Sequence, residues 1–135
     1  VYGEVGEDGN AWVYGNAEVC GNAEVCGDAW VYGNAEVCGN AEVCGNAEVC
    51  GNADYTAHQG FGSEFRTTTF FRTKNNGVGV KCGCFYGTLD EFRKKVERKH
   101  GDTDTGKEYQ MIANAAEIRS RRWKDGQGQM GEDSH

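Results

Sequence analysis

The clearest pattern in the chain is a six-residue alternation of apolar and polar positions between Gly9 and Ala53. Gly-Asn-Ala or Gly-Asp-Ala occurs eight times at this spacing, and a Val stands two positions before each Gly from Val13 to Val49. Val favours a short inward-facing strand, Ala fits a crowded corner, and Gly with Asn or Asp tolerates the positive φ of sharp turns. A fixed short period is typical of a solenoid, so we expect a coil of short strands joined by tight corners.

The length of one coil follows from a longer repeat. The tripeptide Trp12 to Tyr14 recurs at Trp30 to Tyr32, 18 positions further on. Three hexads therefore make one turn of the coil. Counting two degenerate units before Val13, residues 1–54 supply about three 18-residue coils.

The hexad resembles the repeat of the hexapeptide-repeat, left-handed β-helix family, in which an aliphatic residue is followed four positions later by a small one. Val19 with Ala23 and Val37 with Ala41 match this pattern. The resemblance implies a left-handed parallel β-helix, and it favours a trimer because related helices commonly associate side by side in threes. Most characterised enzymes of this family are acyltransferases that use a His as general base.

Charge and composition change near Tyr55. Residues 1–54 hold ten acidic side chains and no Lys or Arg, whereas residues 55–135 hold all 14 Lys and Arg against 11 acids. Such asymmetry indicates two modules with different surfaces. We expect a β-helix over 1–54, a small α+β cap over 55–124, and a polar, disordered tail over 125–135.

The cap is predicted to contain one hairpin. A turn-rich stretch from His58 to Ser63 precedes it, and an Asn-Gly turn at Lys74 to Gly77 separates two β-rich segments, Thr67 to Thr73 and Val78 to Phe85. Cys82 and Cys84, one residue apart, should then face the same side as core residues.

Two helices follow the hairpin. Thr88 with Glu91 three residues later predicts a capping box, and Gly101 predicts the end of this first helix. Its apolar stripe is Leu89, Phe92 and Val96. The second helix is predicted from about Lys107 to Trp123 and buries Tyr109, Ile112 and Ala116. Because so small a module buries little by itself, we expect it to dock on the last coil and cover its open end.

The cap also resembles a C-terminal module of hexapeptide-repeat proteins of phages and prophages. The segments that carry this resemblance are Thr67 to Arg72, Cys82 to Phe85 and Gly87 to Phe92. It implies a phage or prophage origin and no particular activity.

Outward positions of the coils carry aromatic residues that should stack in a stripe. An exposed aromatic patch favours a contact surface, and we expect homo-oligomer packing there. A foreign partner, or aromatic side chains that only cover the coil, are the alternatives. The residues of this candidate interface are Trp12, Tyr14, Trp30 and Tyr32.

Acidic side chains should form outward rows, Glu18 over Glu36 and Glu24 over Glu42. Like charges in register repel one another slightly. The simplest interpretation is that the rows keep the surface solvated. The alternatives are mimicry of a nucleic-acid backbone that occupies a basic groove on another protein, and cation binding.

Five of the seven Cys recur with the repeat. Cys20 should stack over Cys38, and Cys26 over Cys44. At a strand spacing of about 4.8 Å we expect their Cβ atoms to be too far apart for a disulfide, so that they remain free thiols and serve as small interface residues. A metal site is the alternative, although two Cys on one face with no His nearby supply too few ligands for zinc. Because seven is an odd number and the coil cysteines follow the repeat and not a pairing pattern, a reducing cytoplasm is the favoured location, which is the host cytoplasm for a phage protein.

Basic residues form two candidate patches in the cap. Solvated faces are the simplest interpretation, and an anion site for nucleotide, phosphate or RNA is the alternative, since aromatic residues lie nearby. The anion-binding candidates on the hairpin are Arg66, Arg72, Lys74 and Lys81. The helix patch comprises Arg93, Lys94, Lys95, Arg98 and Lys99.

The sequence thus favours a non-catalytic, oligomeric binding protein. His58, His100 and His135 lie in a predicted linker, helix end and tail, and none lies in the coils. No apolar run approaches the ~18 residues of a membrane span, so we expect no membrane partner, and we expect no cofactor or metal. Inhibition of a host (defence) factor, or sequestration of an anionic ligand, is the expected role. A minimal acyltransferase and a structural fibre component are the alternatives.

Overall fold

The computed structural model describes residues 11–51, 54–62 and 66–124. The degenerate hexads before residue 11 and the predicted disordered tail, 125–135, lie outside these ranges. The described chain consists mainly of strands, followed by two helices.

Each hexad of the coil contributes one strand of two residues. The strands pair in parallel as three sheets, in the orders β1-β4-β7, β2-β5 and β3-β6. Trp12 pairs with Trp30 and Val31 with Val49, which confirms the 18-residue period for the described coils. The strands are β1 (Trp12–Val13), β2 (Glu18–Val19), β3 (Glu24–Val25), β4 (Trp30–Val31), β5 (Glu36–Val37), β6 (Glu42–Val43) and β7 (Glu48–Val49).

The coil interior is built from Val and Ala alone until the cap is reached. Every Val from Val19 to Val49, and every Ala from Ala23 to Ala47, is fully buried. Two corner glycines show why the turn residue is fixed. Gly27 and Gly33 have φ of 66° and 67°, and a Cβ would lie 2.7 Å from the Gly45 nitrogen and 2.6 Å from the Cys50 carbonyl oxygen, respectively. A larger residue would push neighbouring coils apart.

The cap contains an antiparallel sheet of four strands in the order β11-β10-β9-β8. Its strands are β8 (Tyr55–Phe61), β9 (Arg66–Arg72), β10 (Val78–Cys82) and β11 (Phe85–Thr88). The predicted hairpin is confirmed as β9 with β10.

The prediction of a single hairpin was nevertheless incomplete. The stretch expected to be turn-rich, His58 to Ser63, lies largely in β8, because β9 offers an edge with which this segment pairs. Gly83 and Cys84 form a tight turn that starts a second hairpin, and Cys82 pairs with Phe85 across it.

Two helices, α1 (Leu89–His100) and α2 (Asp104–Lys124), cover one face of this sheet. The predicted capping box is present, since the Glu91 amide donates to Thr88 Oγ1 at 3.1 Å and the Thr88 amide donates to Glu91 Oε1 at 2.9 Å. Helix α2 begins earlier than the predicted Lys107. The predicted core residues of both helices are buried or half-buried and pack together with Phe70 and Val80.

The cap docks on the last coil, as the sequence predicts. Phe71 of β9 is fully buried, and its ring completes the Val and Ala core of the coil. Gly79 on the neighbouring strand makes room for this ring, because a Cβ there would lie 2.4 Å from it. Contacts of the coil backbone join the two parts: the Glu42 amide donates to Oγ1 of the Thr69 side chain at 3.0 Å, and Ala47 forms an antiparallel bridge with Thr73.

Candidate functional site

The outward aromatic residues of β1 and β4, with the tyrosines that follow them, stack in register. The ring centroids of Trp12 and Trp30 are 6.1 Å apart with planes 23° apart, and those of Tyr14 and Tyr32 are 5.2 Å apart with planes 10° apart. Trp12 also meets Tyr14 edge to face. Offset stacking of this kind stabilises aromatic pairs beyond the burial of their surface. We call these four residues the aromatic ladder.

Within the described residues, the rings of the aromatic ladder that lie away from the cap are the more exposed ones. Trp12 is 57% exposed and Tyr14 44%, whereas Trp30 and Tyr32 are half-buried. The β9–β10 turn covers Trp30, because Lys74 Nζ lies 3.9 Å from the ring centroid and donates to the Asp28 carbonyl at 2.7 Å. The exposed surface is therefore formed by the first Trp and Tyr of the ladder.

Tyr32 is held by a different contact. Its hydroxyl donates to Glu48 Oε2 at 2.5 Å. Burial, together with this hydrogen bond, raises the pKa of Tyr32 above its usual range. The phenol therefore stays protonated. Its hydrogen bond to Glu48 holds the Tyr32 ring at the cap side of the aromatic ladder.

Next to Tyr32 a polar cluster closes the junction between coil and cap. Asp54 Oδ2 accepts from the Cys50 amide at 2.9 Å and from the Cys50 thiol at 3.4 Å, and it lies 3.5 Å from Arg72 Nη2. The same Arg72 nitrogen lies 3.5 Å from the Cys50 sulfur. We call Cys50, Asp54 and Arg72 the junction cluster.

The junction cluster is poorly suited to nucleophilic chemistry. Burial raises the pKa of the Cys50 thiol, and the Asp54 carboxylate raises it further, so the reactive thiolate is disfavoured. Burial opposes the charge on Arg72, but the Asp54 carboxylate and neighbouring groups outweigh it and raise the pKa of Arg72. Arg72 Nε is buried and has no acceptor among the described residues. The cluster joins the coil to the cap.

The acidic rows form as predicted. Glu18 pairs in register with Glu36, and Glu24 with Glu42. Glu42 lies next to the cap, where Lys81 Nζ is 3.8 Å from its Oε1. Burial raises the pKa of Glu42, Lys81 opposes this shift, and Glu24 adds to it.

The four anion-binding candidates on the hairpin do not form one patch. Arg72 belongs to the junction cluster, Lys74 covers Trp30, and Lys81 pairs with Glu42 and donates to the Gly83 carbonyl. These three side chains attach the cap to the acidic coil or brace the hairpin. Arg66 instead lines a cleft beside α1, next to the β10–β11 turn at Gly83.

The expectation that the stacked coil cysteines remain free thiols was wrong. Cys20 is disulfide-bonded to Cys38, and Cys26 to Cys44, with Cα–Cα distances of 4.7 and 4.6 Å. Disulfides accept Cα separations of about 4.4–6.8 Å, so neighbouring coils are close enough when the side chains rotate toward each other. The 18-residue separation within each pair was the sequence signal that could have shown this.

The expectation for the cap cysteines was half right. Cys82 packs against the cap core and accepts a hydrogen bond from Thr68 Oγ1 at 3.2 Å. Cys84 is exposed, because it lies in the β10–β11 turn and not on the strand. Residues two positions apart face the same side only within a strand, and Cys84 lies beyond the end of β10.

Neither described histidine lies at a coil. His58 is on β8, where its ring stacks on Phe61 at 6.0 Å and its Nε2 lies 3.2 Å from Thr56 Oγ1. Burial, with the nearby charge of Arg119, lowers the pKa of His58. His100 ends α1 and its ring lies 5.7 Å from that of Tyr109.

Comparison of the chain with protein-family models, with curated proteins and with solved structures finds no match. Neither α1 nor α2, the helices of the described ranges, is long and apolar enough to cross a bilayer. The function is therefore argued from the geometry of the surfaces.

Proposed function

We propose that this chain is a non-catalytic binding protein that self-associates through its aromatic ladder. The observation that carries the proposal is the exposure of the first two rings of the ladder, since Trp12 and Tyr14 are 57% and 44% exposed although both rings are already stacked. Large ordered aromatic side chains lose little conformational entropy on association, and they are enriched in interfaces. A second copy of the chain offers the same rings to pack against.

The finer architecture belongs to the same proposal. We propose a left-handed coil and a trimer, because the Val and Ala rows and the 18-residue register agree with the hexad pattern of the hexapeptide-repeat family that the sequence resembles. Three copies placed side by side would bury three aromatic ladders around one axis.

The acidic rows supply the target-binding part of the proposal. Glu18 with Glu36 and Glu24 with Glu42 hold negative charges at the regular spacing of the coils, which suits occupation of a basic groove on a partner protein. We propose inhibition of a host factor by a phage- or prophage-encoded protein, for which the cap's resemblance to phage modules is the support. The two coil disulfides count against the cytoplasmic location expected from the sequence, because disulfides are rare in a reducing cytoplasm.

Self-association is tested by light scattering over a concentration series. The wild type should show a mass of several chains, and Trp12→Ala with Tyr14→Ala should shift it to the monomer. Met111→Ala with Ile118→Ala is the matched control, because these side chains are 69% and 58% exposed and belong to α2, not to the ladder. A monomeric wild type contradicts the proposal, and so does an unchanged oligomer in the ladder variant.

Target binding is tested by capture from a bacterial lysate treated with nuclease. A partner bound through the acidic rows should be retained by the wild type and lost from Glu18→Gln with Glu24→Gln. The control, Glu97→Gln with Glu108→Gln, removes the same charge from exposed positions of the helices. Equal retention by both variants argues against the acidic rows. Turnover of an acyl-CoA by the wild type would instead support the acyltransferase alternative.

A further inference from the structure

A cleft of about 270 Å³ opens between the β10–β11 turn and the C-terminal half of α1. Its floor is aromatic and apolar: Phe92, Val96 and Tyr109 are buried there, and Phe85 is half-buried. The rings of Phe85 and Phe92 are 5.8 Å apart, and those of Phe92 and Tyr109 are 5.6 Å apart. A planar ring entering the cleft would meet other rings.

The rim of the cleft is cationic. Lys95 and Lys99 of α1 and Arg66 of β9 line it, and His100 lies beside them. No acidic residue is among the described residues that line the cleft. Lys95 and Lys99 are one helical turn apart, so their charges repel each other and an anion between them would relieve that repulsion.

Other basic side chains of α1 are not part of this rim. Arg93 lies on another face, where it donates to Glu117 Oε1 at 2.7 Å and to Gln110 Oε1 at 3.0 Å. Lys94 and Arg98 are exposed and do not line the cleft. Of the basic side chains discussed, Arg93 is therefore bound to α2, Lys94 and Arg98 face solvent, and Lys95 and Lys99 line the cleft.

We propose that the cleft binds a small ligand of the nucleoside monophosphate class. The base lies against the aromatic floor, where stacking is favourable for every base, and the phosphate lies at the rim between Lys95 and Lys99. The volume is just below the lower end of typical small-molecule sites, about 300 Å³, which suits one nucleoside unit better than a longer nucleic acid. This site lies in the cap and is independent of the aromatic ladder.

The test is calorimetric titration of the full chain with three probes: adenosine monophosphate, adenosine and inorganic phosphate. The monophosphate uses floor and rim together, so it should bind roughly tenfold or more tightly than either fragment. Its affinity should fall as salt is raised, because the rim is exposed. Equal affinity for the monophosphate and for either fragment overturns the proposal, and so does the absence of binding at millimolar concentration.

Two matched variants locate the binding. Lys95→Gln with Lys99→Gln should weaken the monophosphate roughly tenfold to a hundredfold, since two charge-assisted contacts are lost. Lys94→Gln with Arg98→Gln removes the same net charge from the same helix, and it should change the affinity less than about twofold. Equal losses in both variants would show diffuse attraction by a basic surface and would refute the cleft. A Phe85→Leu variant, which keeps the apolar volume, should weaken the monophosphate and leave inorganic phosphate unchanged.

Discussion

The coil and the cap bury their apolar residues in opposite ways. The coil has strands of two residues and a core of Val and Ala, and every strand pair joins residues 18 positions apart. The cap has four antiparallel strands and two helices around large rings such as Phe70, Phe92 and Tyr109, which meet edge to face. One part repeats a single contact, and the other uses each contact once.

This difference determines where binding surfaces can arise. In the coil most outward residue types are repeated 18 positions further on, so surfaces come as rows: rings, carboxylates and disulfide pairs. The row of rings ends where Trp30 pairs with Glu48. The cap has no repeat, so each of its features occurs once. These are the Phe71 ring that closes the coil core, which we call the plug, and the cleft beside α1. We expect variants to separate the two parts accordingly, and the following predictions run from the largest effect to the smallest.

The largest effect is expected at the plug. Phe71→Ala removes the ring that closes the coil core, and loss of a buried Phe costs about 3–5 kcal/mol of the free energy of unfolding. Urea unfolding should show the loss, and hydrogen exchange should show faster exchange in β6, β7 and β9 together. Met111→Ala, at an exposed position, should change stability by less than about 0.5 kcal/mol. Faster exchange in the cap alone would mean that the coil is stable without its plug.

The next effect is confined to the coil. Replacing Cys20 and Cys38 by Ala opens a loop of 18 residues, whose closure by a disulfide contributes about 3 kcal/mol. Without reductant, the variant should unfold at a lower urea concentration than the wild type. With reductant, both disulfides of the wild type and the remaining one of the variant are open, and the two proteins should have the same midpoint. Cys84→Ser is the control, because this thiol is exposed and unpaired in the cap. Insensitivity of the wild type to reductant would contradict a stabilising role.

The junction cluster should give an intermediate effect. Arg72→Met leaves Asp54 next to Cys50 without its cation, and we expect a loss of about 2 kcal/mol, since both charged groups are mostly buried. Double variants measure the coupling: Arg72→Met with Asp54→Asn should cost less than the sum of the single changes. Strict additivity would show that the pair does not join coil and cap.

The smallest effect is a pH dependence that arises in the cap. Because the pKa of His58 is lowered in the folded state, the unfolded chain takes up this proton first, and stability falls as the pH drops through the ordinary imidazole range. At neutral pH and above, the ring is neutral in both states and has no such effect. His58→Gln should flatten the change in urea midpoint between about pH 7.5 and 5.5. His100→Gln is the matched control, and an equal flattening in both variants would contradict the assignment.

Sequence periodicity was sufficient for the coil and much less so for the cap. The register of Trp12 with Trp30 and the rows of Glu could be read from the 18-residue repeat, because neighbouring coils use the same positions. The hairpin at Lys74 and the capping box at Thr88 have short local signals, and both were found. Strand β8 has no such signal, since its pairing with β9 depends on the edge that β9 offers.

The amino-acid sequence by itself determined the parallel coil, its period, the outward rows, and the start of α1, because each depends on residues at fixed local spacings. Only the tertiary structure decided which side chains work together. It joined the stacked cysteines, drew Arg72, Lys74 and Lys81 into the junction with the coil, and placed Arg66 beside Lys95 and Lys99. Such contacts depend on how the cap docks and on where side chains can rotate, and a sequence pattern carries neither.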